Sequence, residues 1–566
     1  MKKLAVFLAS AFVTAAMAFA DADFRVHRYD SMNIMPVHQG DIVFVGNSIT
    51  NMHEWWEAFG CNGNVINRGV SGCVSQETLD NIGSVVAGRP AKVFLMVGTN
   101  DLALKIDPFA IARNVEMIIR RFKTESPGTE IYVQSILPVG EGNVRKAEDI
   151  IMLNGLYSDL CKREGVTYID LWSKFVEPGT THINPEYTND GLHPYPSGYR
   201  VWCNEISRYV GYDCAYADRG SDGCGIPGSV GMRAAAFDLL PLDEDDIVVL
   251  GDELVHGGEW HELLGSPRVK NRGTGWGFGG PAIETIAAEI PAIFSSGKSP
   301  AQVYIHAGAA EVAKNESVDA IVGKLHSLVD AVAAAAPESR LFLMSVQPVY
   351  SGHQKITDQI ALNAGIKAMA EETGIEYVDI YTPLAEGRKD GLVRGNYVYG
   401  KGYLKIARIL SAQMGLKPVP VIYATRETAF TGRGNKGETL VTLTLSPERK
   451  FRLRKLMVTL DADASDVTAI EVKCGDEVIG KAKVKEGKKI YRIRCRKAVR
   501  DLTDIKVCVD IAEDAVEGHK ISADIVKARF GLRWKEIAQP APGCREILLS
   551  RKTVLGPGDF GSVGYR

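Results

Sequence analysis

The chain reads as two tandem three-layer α/β/α domains with parallel sheets, followed by a C-terminal β-sandwich of jelly-roll kind. Three observations predict this. Short apolar runs alternate with helix-period segments over residues 38–212. The same order of runs and turns recurs over residues 245–416. After Pro418-Val419-Pro420 the pattern changes to strands of alternating polar and apolar residues. Strands alternating with helices imply a parallel sheet covered on both faces, and several short alternating strands imply a sandwich. A chain of 566 residues is also too long for one core.

The N-terminus has the layout of an export signal over residues 1–20. Lys2-Lys3 is basic, Leu4 to Met17 is apolar, and Ala18-Phe19-Ala20 offers a small-x-small cleavage site. No cysteine stands at that site, so no lipid anchor is expected. No later stretch reaches the ~20 apolar residues of a membrane span. The expected location is the periplasm, the cell surface or the medium. A net charge of −3 gives no field that would draw nucleic acid or anionic lipid. Of the ten cysteines, Cys214 and Cys224 bracket a Gly/Ser/Asp-rich loop and form the favoured disulfide. None has zinc-site spacing, so no metal is expected.

In the first domain, Ile42–Val45, Val65–Ile66, Val93–Val97, Ile131–Ser135 and Tyr168–Leu171 read as buried strands. Residues 111–123 and 150–163 have helical apolar spacing. Polar clusters follow the strand ends or close the domain: Gly46-Asn47-Ser48, Asn67-Arg68-Gly69-Val70-Ser71-Gly72, Gly98-Thr99-Asn100-Asp101 and Asn189-Asp190-Gly191-Leu192-His193-Pro194. Each alone is an ordinary turn or helix cap. Together they place a serine, a glycine, an asparagine and an Asp/His pair where open α/β sheets bind ligands.

These four blocks, in this order, resemble the SGNH (GDSL-type) hydrolases, whose domains are flavodoxin-like. The first block reads Gly-Asn-Ser-Ile where the family has Gly-Asp-Ser-Leu. The resemblance implies Ser48 as nucleophile, His193 as base, Asp190 as its orienting carboxylate, and an oxyanion hole from the Ser48 and Gly72 amides with the Asn100 side chain. The chemistry agrees: a serine hydroxyl needs a base, and the base needs a partner that fixes its tautomer. Pro194 biases His193 toward an extended backbone. No metal or organic cofactor is required. Trp55 and Trp56, just after the serine block, are expected either to wall a small substrate pocket or to pack on the sheet. The stretch looks like the exported bacterial carbohydrate esterases grouped with sialate O-acetylesterases.

Residues 213–244 read as a linker. The second domain, 245–416, repeats the first with altered chemistry. Glu253 stands at the serine position and Gly308-Ala309-Ala310-Glu311 replaces the asparagine block. The last block offers Val393 or Tyr397 in place of histidine. It is expected to be a pseudo-enzyme that scaffolds or binds sugar, a Glu253/Glu311 activity being the alternative.

In the tail, strands are expected at 439–445, 451–460, 469–472, 489–494, 505–509 and 521–528, within a β-sandwich over 421–540. This region resembles the N-terminal accessory domain of bacterial sialidases. Residues 541–566 would be the truncated start of a sialidase-like segment, because Tyr565-Arg566 matches the first half of the motif that opens the catalytic propeller. No Asp-box repeat occurs, so sialidase catalysis is not expected from this chain. An acetylesterase beside such a module implies O-acetylated glycan or sialic acid as substrate. The rival readings are a lysophospholipase or thioesterase, a glycan-binding protein without catalysis, and a truncated sialidase.

Overall fold

The β-branched runs that follow Asp41 and Asp246 become interior strands of two parallel sheets. In the computed structural model the described residues are 22–62, 64–216, 228–275, 282–350, 356–426, 430–537 and 547–549. The chain divides into two units, 1–418 and 419–566. Within the first unit, β1 (Ile42–Gly46), β2 (Val65–Gly69), β3 (Lys92–Met96), β4 (Glu130–Gln134) and β5 (Thr167–Ile169) form one sheet in the order β2-β1-β3-β4-β5. All its pairings are parallel. β1 and β2 are buried along their whole length, as strands covered on both faces must be.

The covering helices carry the expected apolar stripes. Helix Pro108–Glu125 starts at Asp107, whose side chain caps Phe109 N, and buries Ile111, Val115, Ile118, Ile119 and Phe122. Helix Ala147–Glu164 ends at Gly165 in the left-handed region (φ 65°).

A second parallel sheet follows. β6 (Ile247–Gly251), β7 (Val269–Gly273), β8 (Gln302–His306), β9 (Arg340–Met344) and β10 (Glu376–Val378) lie in the order β10-β9-β8-β6-β7, which repeats the order of the first. Tyr199 donates to Ile49 O in the first half, and Tyr403 donates to Leu254 O in the second. That match sets Tyr397 at the register of His193.

The two halves meet through buried Arg–Glu pairs that come in repeat-related couples. Arg68 grips both oxygens of Glu262 at 2.9 and 2.8 Å. Arg272 grips both oxygens of Glu57 at 2.9 Å. Arg28 pairs with Glu259, and Arg233 pairs with Glu54 at 2.5 Å. Arg28 also donates to Gly257 O, and Arg233 to Met52 O. Trp56 stacks on its own counterpart His261, with ring centroids 4.4 Å apart. A self-complementary contact of this kind is what an isologous dimer uses, here within one chain.

Two helices in this contact differ from the sequence reading. Residues 213–244, expected as a linker, contain helix Gly228–Leu239, which supplies Arg233. Helix Ala22–Asn33, unassigned in sequence, supplies Arg28. The expected signal, Cys224, and residues 550–566 lie outside the described residues.

The second unit is antiparallel apart from one short pairing. One sheet contains Val421–Arg426, Glu438–Ser446, Thr503–Ile511, Val467–Cys474 and Glu477–Lys483 in that spatial order. The other contains Phe451–Asp461 between Ile490–Val499 and Lys520–Phe530, with the short strands Phe430–Thr431, Arg533–Glu536 and Ile547–Leu549 beside Lys520–Phe530 or at its edge. Leu443, Leu456, Val458, Ile470, Ile493, Val507 and Ile525 are among its fully buried core residues. Among the described residues, no helix is long and apolar enough to cross a membrane.

Candidate active site

The serine block turns sharply at the carboxyl end of β1. A Cβ on Gly46 would meet Met96 O at 2.5 Å, so only glycine fits there. Asn47 then caps a short helix, Ser48–Asn51, by accepting from Ile49 N at 3.0 Å. Ser48 therefore stands at the first turn of that helix, 6% exposed. The second block locks onto this turn. Asn67 donates to Asn51 O and His53 O, and Ser71 Oγ donates to Asn51 Oδ1 at 2.7 Å. A Cβ on Gly69 would collide with Asn51 N, so the two blocks lie backbone to backbone. Gly72 follows in the left-handed region (φ 77°), which glycine tolerates without strain.

The fourth block brings the acid and base. Asp190 Oδ1 accepts from the backbone N–H of Leu192 (2.9 Å) and of His193 (2.8 Å), an Asx-type turn that closes on its own histidine. Asp190 Oδ2 lies 2.7 Å from His193 Nδ1, and His193 Nε2 lies 3.0 Å from Ser48 Oγ. Burial pushes the Asp190 carboxyl up, but the hydrogen bond and charge of His193 and the two backbone donors outweigh it and hold it down at about 2. An ionised carboxylate on Nδ1 keeps the proton there and leaves Nε2 to accept from serine.

The third block supplies the amide. Asn100 Nδ2 donates to Cys73 O at 2.9 Å, and Asn100 Oδ1 accepts from Arg145 Nη2 at 3.3 Å. A carbonyl can only accept and a guanidinium can only donate, so the amide orientation is fixed from both sides. One N–H of Nδ2 remains beyond the bond to Cys73 O, the donor an oxyanion would need. Asp101 anchors the block by accepting from Ser75 N and Ser75 Oγ.

The structure thus brings Ser48, Asp190 and His193 into one hydrogen-bonded chain, with Gly72 and Asn100 in the two blocks that pack beside it. Trp55 and Trp56 are a correction. Trp55 is 1% exposed, stacked on Phe44 with centroids 4.1 Å apart, and its Nε1 donates to Thr50 O. Trp56 is 2% exposed and stacks on His261. Neither ring offers a face to a sugar, because both faces are taken by the core and by the contact between the halves. Arg145 is the residue the sequence reading missed. It sits beside Lys146 in the glycine-containing loop after β4, where no motif marks it, and the same loop's Gly140 N donates to Gly191 O of the histidine turn.

One His/Asp group with metal-ligand spacing occurs among the described residues, Asp463, Asp466 and His519 in the C-terminal unit, where His519 Nδ1 is bonded to Asp466 at 2.7 Å.

Residues 44–201 match the model of the GDSL-like Lipase/Acylhydrolase family. An N-acylneuraminate cytidylyltransferase of Escherichia coli O18:K1:H7 is 29% identical over 179 residues, which span 30% of this chain and 40% of that protein. A GDSL-like lipase from Bacteroides thetaiotaomicron VPI-5482 is similar in structure at 25% identity, covering 32% of this chain and 96% of its own, with a TM-score of 0.29. A mutant of an acetyl-xylooligosaccharide esterase from Geobacillus Stearmophilus covers 32% and 98% at 16% identity, with a TM-score of 0.27. The N-terminal part of the chain, which holds the Ser48 site, is therefore a domain of the GDSL-like lipase/acylhydrolase family.

Proposed function

We propose that the chain is an exported serine esterase that removes O-acetyl groups from carbohydrates, with O-acetylated sialic acid as the sugar. The observation that carries the reaction class is the continuous Asp190–His193–Ser48 chain, at 2.7 and 3.0 Å, beside an amide of fixed orientation. Ser48 Oγ attacks the ester carbonyl as His193 Nε2 takes its proton. The oxyanion is met by Asn100 Nδ2 and the backbone N–H groups of Ser48 and Gly72. His193 then returns the proton to the leaving sugar hydroxyl, and a water repeats the cycle to release acetate. Asp190 holds the imidazole throughout. The sugar assignment is supported by the name of the E. coli relative, an N-acylneuraminate cytidylyltransferase.

The second half serves this site as a scaffold. Three differences support that role. Glu253 and Ala310 stand where the first half has Ser48 and Asn100. Tyr397 stands at the histidine register, its ring 4.6 Å from His27 and 6.1 Å from Phe24. Arg233 holds Met52 O and Glu54, in the segment that leaves the nucleophile helix.

The test is a substrate panel on the full chain: O-acetylated sialic acid, acetylated xylo-oligosaccharide and a lysophospholipid, each with the Ser48→Ala variant as control. Ser48-dependent acetate release from the sialic acid in preference to the others is the expected result. Preference for the lysophospholipid would replace the carbohydrate reading with a lipase one.

A further inference from the structure

Arg145 is 7% exposed, yet among the described residues its guanidinium is held only by neutral acceptors. Nε donates to Thr99 O at 2.8 Å, Nη1 to Asn143 Oδ1 at 3.1 Å, and Nη2 to Asn100 Oδ1 at 3.3 Å. The contact between the halves treats its arginines differently: Arg28, Arg68, Arg233 and Arg272 each face a glutamate. For Arg145, no carboxylate lies within ion-pair distance among the described residues. Asp190 is near enough for its charge to be felt, but Oδ2 belongs to His193 and Oδ1 already takes backbone donors. Burial lowers the Arg145 group to about 10, with Asp190 acting against that, so it stays charged at neutral pH. A buried cation without a counter-charge is costly, and chains pair such groups or keep them for an anion that arrives.

The place of Arg145 says which anion. It is bonded to the oxyanion amide itself, on the loop that touches the histidine turn, so whatever meets it is part of the molecule whose ester Ser48 attacks. A guanidinium has five N–H groups; three bonds are made here, one from each nitrogen, which leaves one N–H on Nη1 and one on Nη2 for an incoming carboxylate. We infer that Arg145 is a specificity-determining residue that binds a carboxylate on the substrate, so that the acylated sugar is an acidic one, a sialic or a uronic acid. This rests on the carbohydrate-esterase reading above. Neutral acetylated sugars would leave the charge of Arg145 uncompensated in the closed site and would react more slowly for that reason.

The experiment compares each acidic sugar with its own methyl ester on the full chain. The probes are O-acetylated sialic acid, O-acetylated glucuronic acid and the methyl ester of each, with an aryl acetate as neutral reference. The proteins are wild type, Arg145→Gln and Arg145→Lys. In the wild type, kcat/KM should favour the free acid over its methyl ester on the order of 10-fold to 100-fold, the range expected for a charge-assisted hydrogen-bond pair. In Arg145→Gln that ratio should fall to about one, mainly through KM, and Arg145→Lys should recover part of it. The acid that shows the preference identifies the sugar class. Loss of aryl acetate turnover in Arg145→Gln reports separately on Asn100 and does not alter the ratio. A wild-type ratio of one, or a preference that survives Arg145→Gln, would overturn the inference and leave Arg145 as a positioning residue for Asn100 alone. Ser48-dependent cleavage of aryl acetate, with none of any acetylated sugar, would instead sink the carbohydrate reading and this inference with it.

Discussion

Replacing Asp190 with asparagine should cost about 10⁴ in kcat while leaving the fold intact. The reason lies in which oxygen does what. Asp190 Oδ1 accepts from Leu192 N and His193 N, and those donors demand an oxygen. An asparagine must therefore put its carbonyl in the Oδ1 position and its NH₂ against His193 Nδ1, 2.7 Å away in the wild type. The ring then has to present a lone pair at Nδ1 and carry its proton on Nε2. That proton points at Ser48 Oγ, 3.0 Å away, so histidine donates to the nucleophile when it should accept from it. The defect lies in proton transfer, so KM should move little. The assay is steady-state hydrolysis of an aryl acetate, with circular dichroism melting to confirm that the variant is folded. A loss below about 10-fold would refute the reasoning, because it would mean that Asp190 does not set the tautomer.

Other consequences follow from the same geometry. Asn100→Ala removes one oxyanion donor and should lower kcat by roughly 10²–10³ with KM nearly unchanged. Arg272→Ala leaves Glu57, 3% exposed, with an uncompensated charge between the halves; urea unfolding should show about 3–5 kcal/mol of lost stability, and Arg272→Met with Glu57→Leu should lose much less. Glu289 is fully buried, and burial raises its carboxyl from 4.5 to about 8. The folded chain then keeps a proton that the unfolded chain releases, so the stability contributed by this group is fully present below about pH 4.5 and is lost as pH rises toward 8. Melting against pH should lose that slope in Glu289→Gln, on the order of 5 kcal/mol over the window.

The catalytic frame was legible because its residues are legible one by one. Gly46 and Gly98 mark backbone positions that a side chain would obstruct, each at or just past a strand end and followed by a polar residue, and Gly72 marks a left-handed one in the block after the second strand. The central strands were visible as uninterrupted apolar runs, which is how strands covered on both faces look. Helices Ala22–Asn33 and Gly228–Leu239 were not visible, for one shared reason. Their buried faces mix arginine with apolar residues, Arg28 with Phe24 and Met32 and Arg233 with Ala236, Phe237 and Leu239, so the apolar stripe is interrupted where the arginine meets a glutamate of the other half. Trp55 and Trp56 stayed open between substrate pocket and sheet because an aromatic pair beside a nucleophile has the same sequence whether it faces substrate or core. Strand Glu477–Lys483 escaped because it is an edge strand with no fully buried residue, so its alternation is faint. Arg145 carries no motif at all; its meaning comes from Asn100 and Asp190, which only the fold brings beside it.

The central claim is that Ser48 is a nucleophile activated by His193. It is tested most directly by hydrolysis of a simple aryl acetate, with wild type, Ser48→Ala and His193→Ala compared under identical conditions. Each variant should lose kcat on the order of 10⁶, and the two losses should not add in the double variant, since the pair acts as one unit. Retention of wild-type turnover by Ser48→Ala would contradict the account.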